Sequence, residues 1–442
     1  YVHRDESVLP NFPIDVGGSG ESSAKTVDLD GDGSREIIYG TADGDLHAYR
    51  ANGTEMPGFP AHTVPLYGMR SAHATSYVGS AAYSGESPAI DPGRVFDPIV
   101  ATPAVADLDG DGRPEIVVNS YHGTVHVFRA DGTNYGHGFP YALPEVPSAM
   151  TAPDRILQRG LFCSPVLADL DGDTRLEIIF GAMDGKLYAL DSMTGMVKPG
   201  YPVVIHFPEA GTEYNRVFGN VGVGHFNGDT IPDVVVVSNE KLRGDNNTGA
   251  IYLVHGDGNN HAGGAFHPNW PIAVTSFNFF PLVGEGVSGA PPIADLDGDG
   301  RDEIAFTGNA LPTIAFVRGE QSAMGRRPAL NTLNRVALAQ TSRRGPLTNN
   351  TTPIVSFANV FSMGAWGDMD GDRTPDYVIS GAELNLAINL GGGGRARPFY
   401  HLVGAFSGRD GYPLPGYPQL LEDYTFFMNP AIASVDGDPF PE

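Results

Sequence analysis

The segment "VADLDGDGRPEIVV" at 105–118 sets three aspartates at every second position, threads glycines between them and runs straight into an apolar stretch. The same nine-residue pattern returns along the chain. Complete copies are "DLDGDGSRE" at 28–36, "DLDGDGRPE" at 107–115, "DLDGDTRLE" at 169–177, "DLDGDGRDE" at 295–303 and "DMDGDRTPD" at 368–376. Two degenerate copies are "HFNGDTIPD" at 225–233 and "SVDGDPFPE" at 434–442. Their starts lie 79, 62, 56, 70, 73 and 66 residues apart, the mark of a repeat architecture with one loop per supersecondary unit. A chain of 442 residues is therefore read as one closed array rather than two or three separate domains.

A second motif keeps phase with the first. Pro-x-aromatic-Pro occurs at 10–13, 57–60, 199–202, 268–271 and 415–418, with "HGFP" at 137–140 as a variant. Between the two motifs lie a nearly continuous apolar run ("EIIYG", "EIVVNS", "EIIFGA", "DVVVVS") and an alternating one ("LHAYR", "VHVFR", "LYALD", "IYLVH"). The continuous run predicts a strand covered on both faces and the alternating run a strand nearer solvent. Small-residue strands such as "ATPAV", "CSPVL" and "GAPPI" precede the loops, suited to crowding around an axis. With 58 glycines, 36 prolines and no helical periodicity, the chain reads as all-β.

Each unit is predicted to be a four-stranded antiparallel sheet, and seven of them make a seven-bladed β-propeller with a loop between the first and second strands of each blade. The blades are expected at about 20–60, 99–140, 161–202, 217–272, 286–320, 356–418, and 427–442 joined to 1–14. Because the last blade lacks its middle strands, the natural protein is expected to continue past Glu442 or to borrow strands from another chain. The opening Tyr1 is read as a processing or trimming product.

The loops carry the chemistry. Side chains one, three and five of a tightly wound loop converge on one centre, with glycine at the fourth or sixth position easing the winding. The seventh residue offers its carbonyl and an acid at the ninth closes the shell. Only oxygens are supplied, which is the donor set of Ca²⁺; zinc would want His or Cys. The charge agrees. Twenty-five of the 52 acidic residues sit at these positions, and the remaining 27 match the 27 Lys plus Arg. The net charge of −25 thus belongs to the loops and needs no cationic partner, and it excludes general nucleic-acid affinity.

These residues resemble the FG-GAP (VCBS-type) repeat family, which includes the integrin α-subunit propeller and many bacterial surface proteins. The resemblance implies calcium held by Asp28, Asp30, Asp32, Ser34 and Glu36 in the first loop and by Asp107, Asp109, Asp111, Arg113 and Glu115 in the second. The third offers Asp169, Asp171, Asp173, Arg175 and Glu177, and the fifth Asp295, Asp297, Asp299, Arg301 and Glu303. The sixth offers Asp368, Asp370, Asp372, Thr374 and Asp376. Weaker sites are His225, Asn227, Asp229, Ile231 and Asp233 in the fourth loop, and Ser434, Asp436, Asp438, Phe440 and Glu442 in the seventh. Five calcium ions are expected, and up to seven. Integrins carry such loops in only some blades, whereas here nearly every blade has one. Family members act in adhesion or as interaction modules.

Long connections at 61–98, 141–160, 203–216 and about 320–358 are the expected recognition surface. The last holds Arg326, Arg327, Arg335, Arg343 and Arg344, read either as a solvated face or as a docking patch for an acidic glycan or a neighbouring subunit. Arg243-Gly244-Asp245 is read as coincidence in a chain rich in Gly and Asp, and Cys163 as a small buried residue rather than a reactive thiol. "NGT" at 52–54, "NNT" at 246–248 and "NNTT" at 349–352 match glycan acceptor patterns, which matter only for a eukaryotic source.

No apolar stretch approaches the ~18 residues of a membrane span. The expectation is a calcium-stabilised interaction, adhesion or assembly module in an extracellular, cell-surface or periplasmic setting, where calcium is plentiful. The alternative is a carbohydrate-active propeller, either a lectin or a polysaccharide lyase drawing on His62, His73, His122 or His137. A quinone-dependent dehydrogenase is disfavoured, because the chain has only two tryptophans, Trp270 and Trp366. Incubation with acidic polysaccharides while following unsaturated-product absorbance separates the readings. The module reading expects no rise, and a rise in absorbance refutes it.

Overall fold

The computed structural model describes residues 11–18, 20, 22–65, 96–144, 160–206, 217, 219–238, 248–275, 277–279, 282–284, 291–307, 313–319, 335–338, 357–358, 364–383, 401–417, 419–421, 430–433 and 441. Among these the chain is all-β, with one short 3-10 turn at Gly258–Asn260 as its helical content. No described helix is long and apolar enough to cross a membrane. The chain divides into two compact units. One comprises Tyr1–Leu167, Arg175–Asp184 and Tyr188–Lys198, and the other Ala168–Thr174, Gly185–Leu187 and Pro199–Glu442.

The strands form successive sheets in chain order. The first joins β1 (Lys25–Val27), β2 (Glu36–Gly40), β3 (Asp45–Tyr49) and β4 (Ala61–His62). The second joins β5 (Ala104–Ala106), β6 (Glu115–Ser120), β7 (Thr124–Phe128) and β8 (Tyr141–Ala142). The third joins β9 (Val166–Ala168), β10 (Glu177–Gly181), β11 (Lys186–Asp191) and β12 (Val203–Val204). The fourth joins β13 (Gly222–Gly224), β14 (Asp233–Ser238), β15 (Thr248–Val254) and β16 (Ile272–Thr275).

A separate hairpin pairs β17 (Phe277–Phe279) with β18 (Leu282–Gly284). The fifth sheet joins β19 (Ile293–Ala294), β20 (Glu303–Thr307), β21 (Thr313–Arg318) and β22 (Arg335–Leu338). The sixth is built on β25 (Asp376–Glu383), which pairs with both β23 (Phe357–Ala358) and β24 (Ala365–Gly367), followed by β26 (His401–Phe406) and β27 (Gln419–Leu421).

The nine-residue loops are the first hairpin connections, and the register fixes them. Val27 faces Glu36, Ala106 faces Glu115, Gly224 faces Asp233, Ala294 faces Glu303 and Gly367 faces Asp376. The ninth-position acid is thus the first residue of the second strand. Behind it the continuous apolar run is buried on both faces, throughout β6, β10 and β14.

The alternation of that run sorts residues between two cores. Ile116 and Val118 pack with Ile38, Leu46 and Ala48 of the first sheet, whereas Val117 packs with Ile178 and Phe180 of the third. The rule repeats in the second unit. Ile304 and Phe306 pack with Val235 and Val237 of the fourth sheet, while Ala305 joins Tyr377 and Ile379 of the sixth. Val378 turns the other way, into a cluster with Ile432. In the second and fifth repeats, positions ten and twelve face the preceding sheet and position eleven the following one. A slip of one residue would exchange the two cores, so the pattern pins the register.

The third strands differ from expectation. β7 is buried at every position and β3 and β11 at all but their ends, with His126 and His47 among the buried residues. Both faces of β7 are covered by neighbouring sheets, so alternation in the sequence does not place one face in water. Cys163 is buried as expected, and desolvation pushes its thiol up to about 12.

The Pro-x-aromatic-Pro glycines seat one sheet against the next. The X–Pro bond is cis at Phe12-Pro13, Phe59-Pro60, Phe139-Pro140, Tyr201-Pro202 and Trp270-Pro271. Gly58 (φ 92°) lies so close to the turn after β7 that an added Cβ would sit 2.0 Å from the Asp131 carbonyl oxygen. Gly138 (φ 87°) stands in the same relation to Thr194, at 2.1 Å. Gly138→Ala is therefore expected to cost about 2 kcal/mol or more. Gly136, at φ 83° but with nothing within 4 Å of an added Cβ, should cost about 1 kcal/mol. Equal losses for the two variants in denaturant melts would refute a close-packing role.

Candidate metal centres

The loop geometry is built from the first aspartate outward. Asp28 accepts hydrogen bonds from the N–H groups of Gly31 (2.8 Å) and Gly33 (2.9 Å), and Asp107 from Gly110 (2.7 Å) and Gly112 (2.9 Å). Asp295 holds Gly298 and Gly300 in the same way, Asp169 holds Gly172 and Thr174, and Asp368 holds Arg373. The third residue accepts from the fifth, and the fifth from the seventh: Asp30 from Asp32 and Asp32 from Ser34, then Asp109 from Asp111 and Asp111 from Arg113. Asp297, Asp299 and Arg301 repeat the chain, as do Asp370, Asp372 and Thr374. The fourth-position glycines take positive φ (Gly31 78°, Gly110 77°, Gly298 76°). At the sixth, Thr174 (73°) and Arg373 (70°) adopt a conformation glycine holds elsewhere.

The ninth-position acid is buried in every described loop: Glu36, Glu115, Glu177, Asp233, Glu303 and Asp376 are each at most 3% exposed. One oxygen of the acid accepts the N–H of the second loop residue in four loops, from Leu29 (2.8 Å), Leu108 (2.8 Å), Leu296 (2.9 Å) and Met369 (2.9 Å). The other oxygen of Glu36 is buried with no hydrogen-bond partner, as is Asp368 Oδ1. A buried carboxylate oxygen without a partner costs kilocalories unless a cation meets it. Ligand oxygens of Asp28, Asp30 and Asp32 lie within 4.8 Å of one another, as do those of Asp107, Asp109 and Glu115, and of Asp295, Asp297 and Asp299. The donors are all oxygen and mostly anionic, so these residues fit calcium.

A basic residue borders each of these loops, which sequence reading missed. Arg50 reaches Asp30 (3.2 Å), Arg129 reaches Asp109 (3.3 Å) and Arg409 reaches Asp372 (3.0 Å). Arg318 meets Asp297 and lies 3.4 Å from Glu303 Oε1, and Lys198 lies 3.2 Å from Glu177 Oε1. The signal was present at the ends of the third strands, in "HAYR", "HVFR" and "AFVR".

The fourth loop is built differently. Asn227 and Asp229 bond one another, Ile231 N–H donates to Asp229, and the His225 N–H donates to Asp302 (2.7 Å). Its ninth residue, Asp233, lies beside two histidines instead of an arginine. Of the seventh loop, Ser434, Asp436, Asp438, Phe440 and Glu442 lie outside the described residues, as do His73, the Arg243-Gly244-Asp245 tripeptide, Arg326, Arg327, Arg343 and Arg344. Arg335 opens β22, with only its backbone described. The remaining candidate histidines have separate partners: His62 pairs with Asp45, His122 with Asp97, and His137 with the Met193 carbonyl.

Residues 107–180 match the model of an FG-GAP-like repeat, so the chain carries at least one such repeat, spanning the second loop through β10. No curated relative matches the chain. Among solved structures, the chain is similar to BBS1N in complex with ARL6DN at 10% identity, covering 90% of this chain and 80% of that one (TM-score 0.43). It is similar to BamB from Moraxella catarrhalis at 12% identity over 90% and 85% (TM-score 0.40). It is also similar to the V. cholerae biofilm matrix protein Bap1 at 12% over 96% and 84% (TM-score 0.38).

Burial sets the acid–base behaviour of the metal-free loops. Desolvation, with the neighbouring aspartates adding to it, raises Glu115 and Glu303 from 4.5 to about 7 against the opposing Leu108 and Leu296 N–H groups. Asp376 rises from 3.8 to about 6 for the same first reason. Folding therefore favours the protonated acids. Their stabilising contribution is full below the unfolded-state values and is lost as pH climbs through about 6 to 7. In chelator, the melting temperature is expected to fall across that range, and Glu115→Gln to flatten the slope. A slope unchanged by the substitution refutes the assignment.

Proposed function

We propose that this chain is a calcium-stabilised β-propeller of seven four-stranded sheets that serves as an interaction or assembly module outside the cytoplasm. The observation that carries the reading is the buried ninth-position acid. It opens the second strand and one oxygen is fixed by the loop backbone; Glu115 converges with Asp107 and Asp109, and in Glu36 the second oxygen has no hydrogen-bond partner. A calcium ion there neutralises buried charge and ties the two strands at the point where the chain reverses.

The packing rule supports a propeller, because the second and fifth sheets each offer one face backward and one forward along the chain. The N-terminal Pro-x-aromatic-Pro segment adds to this. Asn11 donates to the Asn52 carbonyl at 2.9 Å and abuts Gly53, so the segment stands to the first sheet as Gly58 stands to the second. That is the position an outer strand of a seventh blade would hold. Sites of moderate affinity stay filled where calcium is millimolar, which favours an extracellular or periplasmic setting. A rigid ring carrying long connections is a scaffold for binding a protein or glycan, and the connection containing Arg326 and Arg327 is the basic one.

Removing calcium should expose the dependence. A site filled at 100 times its dissociation constant adds about 2.7 kcal/mol, so several sites together govern stability. EGTA is expected to lower the melting temperature by tens of degrees, with calcium restoring it and magnesium not. Asp107→Asn should reduce the number of bound calcium ions by one. A melting curve indifferent to EGTA refutes the proposal.

A further inference from the structure

We propose that Asp233, His255 and His267 form a binding site for a divalent transition cation of the zinc class, separate in chemistry from the oxygen loops. The two histidines occupy positions with defined counterparts in other sheets. His255 N–H donates to Ala265 and His267 N–H to Leu253, as Arg129 donates to Thr133 and Tyr135 to Val127 in the second sheet. Where that sheet places an arginine and a tyrosine, the arginine on Asp109, the fourth sheet places two imidazoles against the ninth-position acid. The same loop has exchanged its first and third aspartates for His225 and Asn227. The oxygen donors diminish and nitrogen donors arrive in one repeat.

The three side chains are buried, with Asp233 2%, His255 7% and His267 6% exposed. His267 Nε2 lies 3.0 Å from Asp233 Oδ2, and His255 Nδ1 lies 3.7 Å from Asp233 Oδ1. Despite their 3.0 Å approach, neither His267 Nε2 nor Asp233 Oδ2 makes a hydrogen bond of good geometry. Two donors about 3.3 Å apart are what one tetrahedral zinc with ~2.0–2.1 Å bonds requires. His267 Nε2 and Asp233 Oδ2 approach that spacing, and one ligand atom from each of the three residues lies within 4.8 Å of the others. Neutral imidazole is the ligating form, and one carboxylate with two imidazoles leaves coordination positions open.

Access and room are present. A cavity of about 640 Å³ is lined by His255, His261 and His267 together with Phe226 and Asn227. The three imidazoles are stacked, His255 lying 3.5 Å from His261 and 3.7 Å from His267 between ring centroids. Stacked rings do not share one plane, so an ion taken by both His255 and His267 turns one ring about its Cβ–Cγ bond into that cavity. His261, held by Asp257 at 3.2 Å, lines the same cavity.

The inference does not rest on calcium in the other loops, and the test is run with the full chain saturated with calcium. Zinc(II) is expected to bind as one high-affinity equivalent that excess calcium does not displace. Cobalt(II) is expected to give visible d–d absorption at the same stoichiometry. His255→Ala and His267→Gln should each weaken zinc by more than about tenfold, while His62→Asn, at an exposed histidine, leaves it unchanged. Zinc binding that is absent, displaced by calcium, or equal in wild type and both variants overturns the proposal. If the variants melt early, zinc X-ray absorption on the wild-type chain decides. Two imidazole shells support the site, and an all-oxygen shell refutes it.

Discussion

A carboxylate buried at the first residue of a strand governs this architecture. Glu36, Glu115, Glu303 and Asp376 are withdrawn from water, and each spends one oxygen on the backbone of its own loop. That bond fixes where the loop begins relative to where the strand begins, and hence the register of the first hairpin. Everything downstream inherits the phase. Once the acid is placed, residues ten, eleven and twelve of the repeat are committed to their cores. The cost of burying the acid is met by whatever positive charge the loop gathers, whether a bound cation or the basic side chain at its border.

The bordering arginines and the converging aspartates are two answers to the same electrostatic problem. Arg129 engages the outer oxygen of Asp109 while its neighbours Asp107 and Glu115 face inward. A guanidinium at the rim reduces repulsion among carboxylates without filling the centre, since it is planar and anchored on another strand. In the third sheet the job passes to Lys198, which comes from the position occupied by Tyr135 in the second and reaches the ninth-position acid itself. The fourth sheet takes the substitution further, with imidazoles in both places. Two structural slots thus carry different partners for the acids of the loop from sheet to sheet.

Much of this was legible because the loop pattern is both local and periodic. Six of the nine-residue copies coincide with the first hairpins of the described sheets, and the apolar runs behind them became β2, β6, β10 and β14. Solvent exposure of the third strands was misjudged, since alternation reports exposure only when one face meets water, and His126 is packed between sheets. Thr174 and Arg373 adopt left-handed backbone where the pattern elsewhere has glycine, and their residue types gave no warning. Loop context overrides side-chain preference there. The histidine group was missed for a different reason. Asp233, His255 and His267 are spread along the sequence, and the pairing of β14 with β15 and the bridge between Val254 and Phe266 bring them together.

The alternation of Ile116, Val117 and Val118 between two cores has a mechanical meaning. Adjacent residues on one strand report to different neighbours, so a defect at Val117 loosens the seam ahead of it while one at Ile116 loosens the seam behind. Within the first three sheets, strain therefore travels from plate to plate, as along links of a chain.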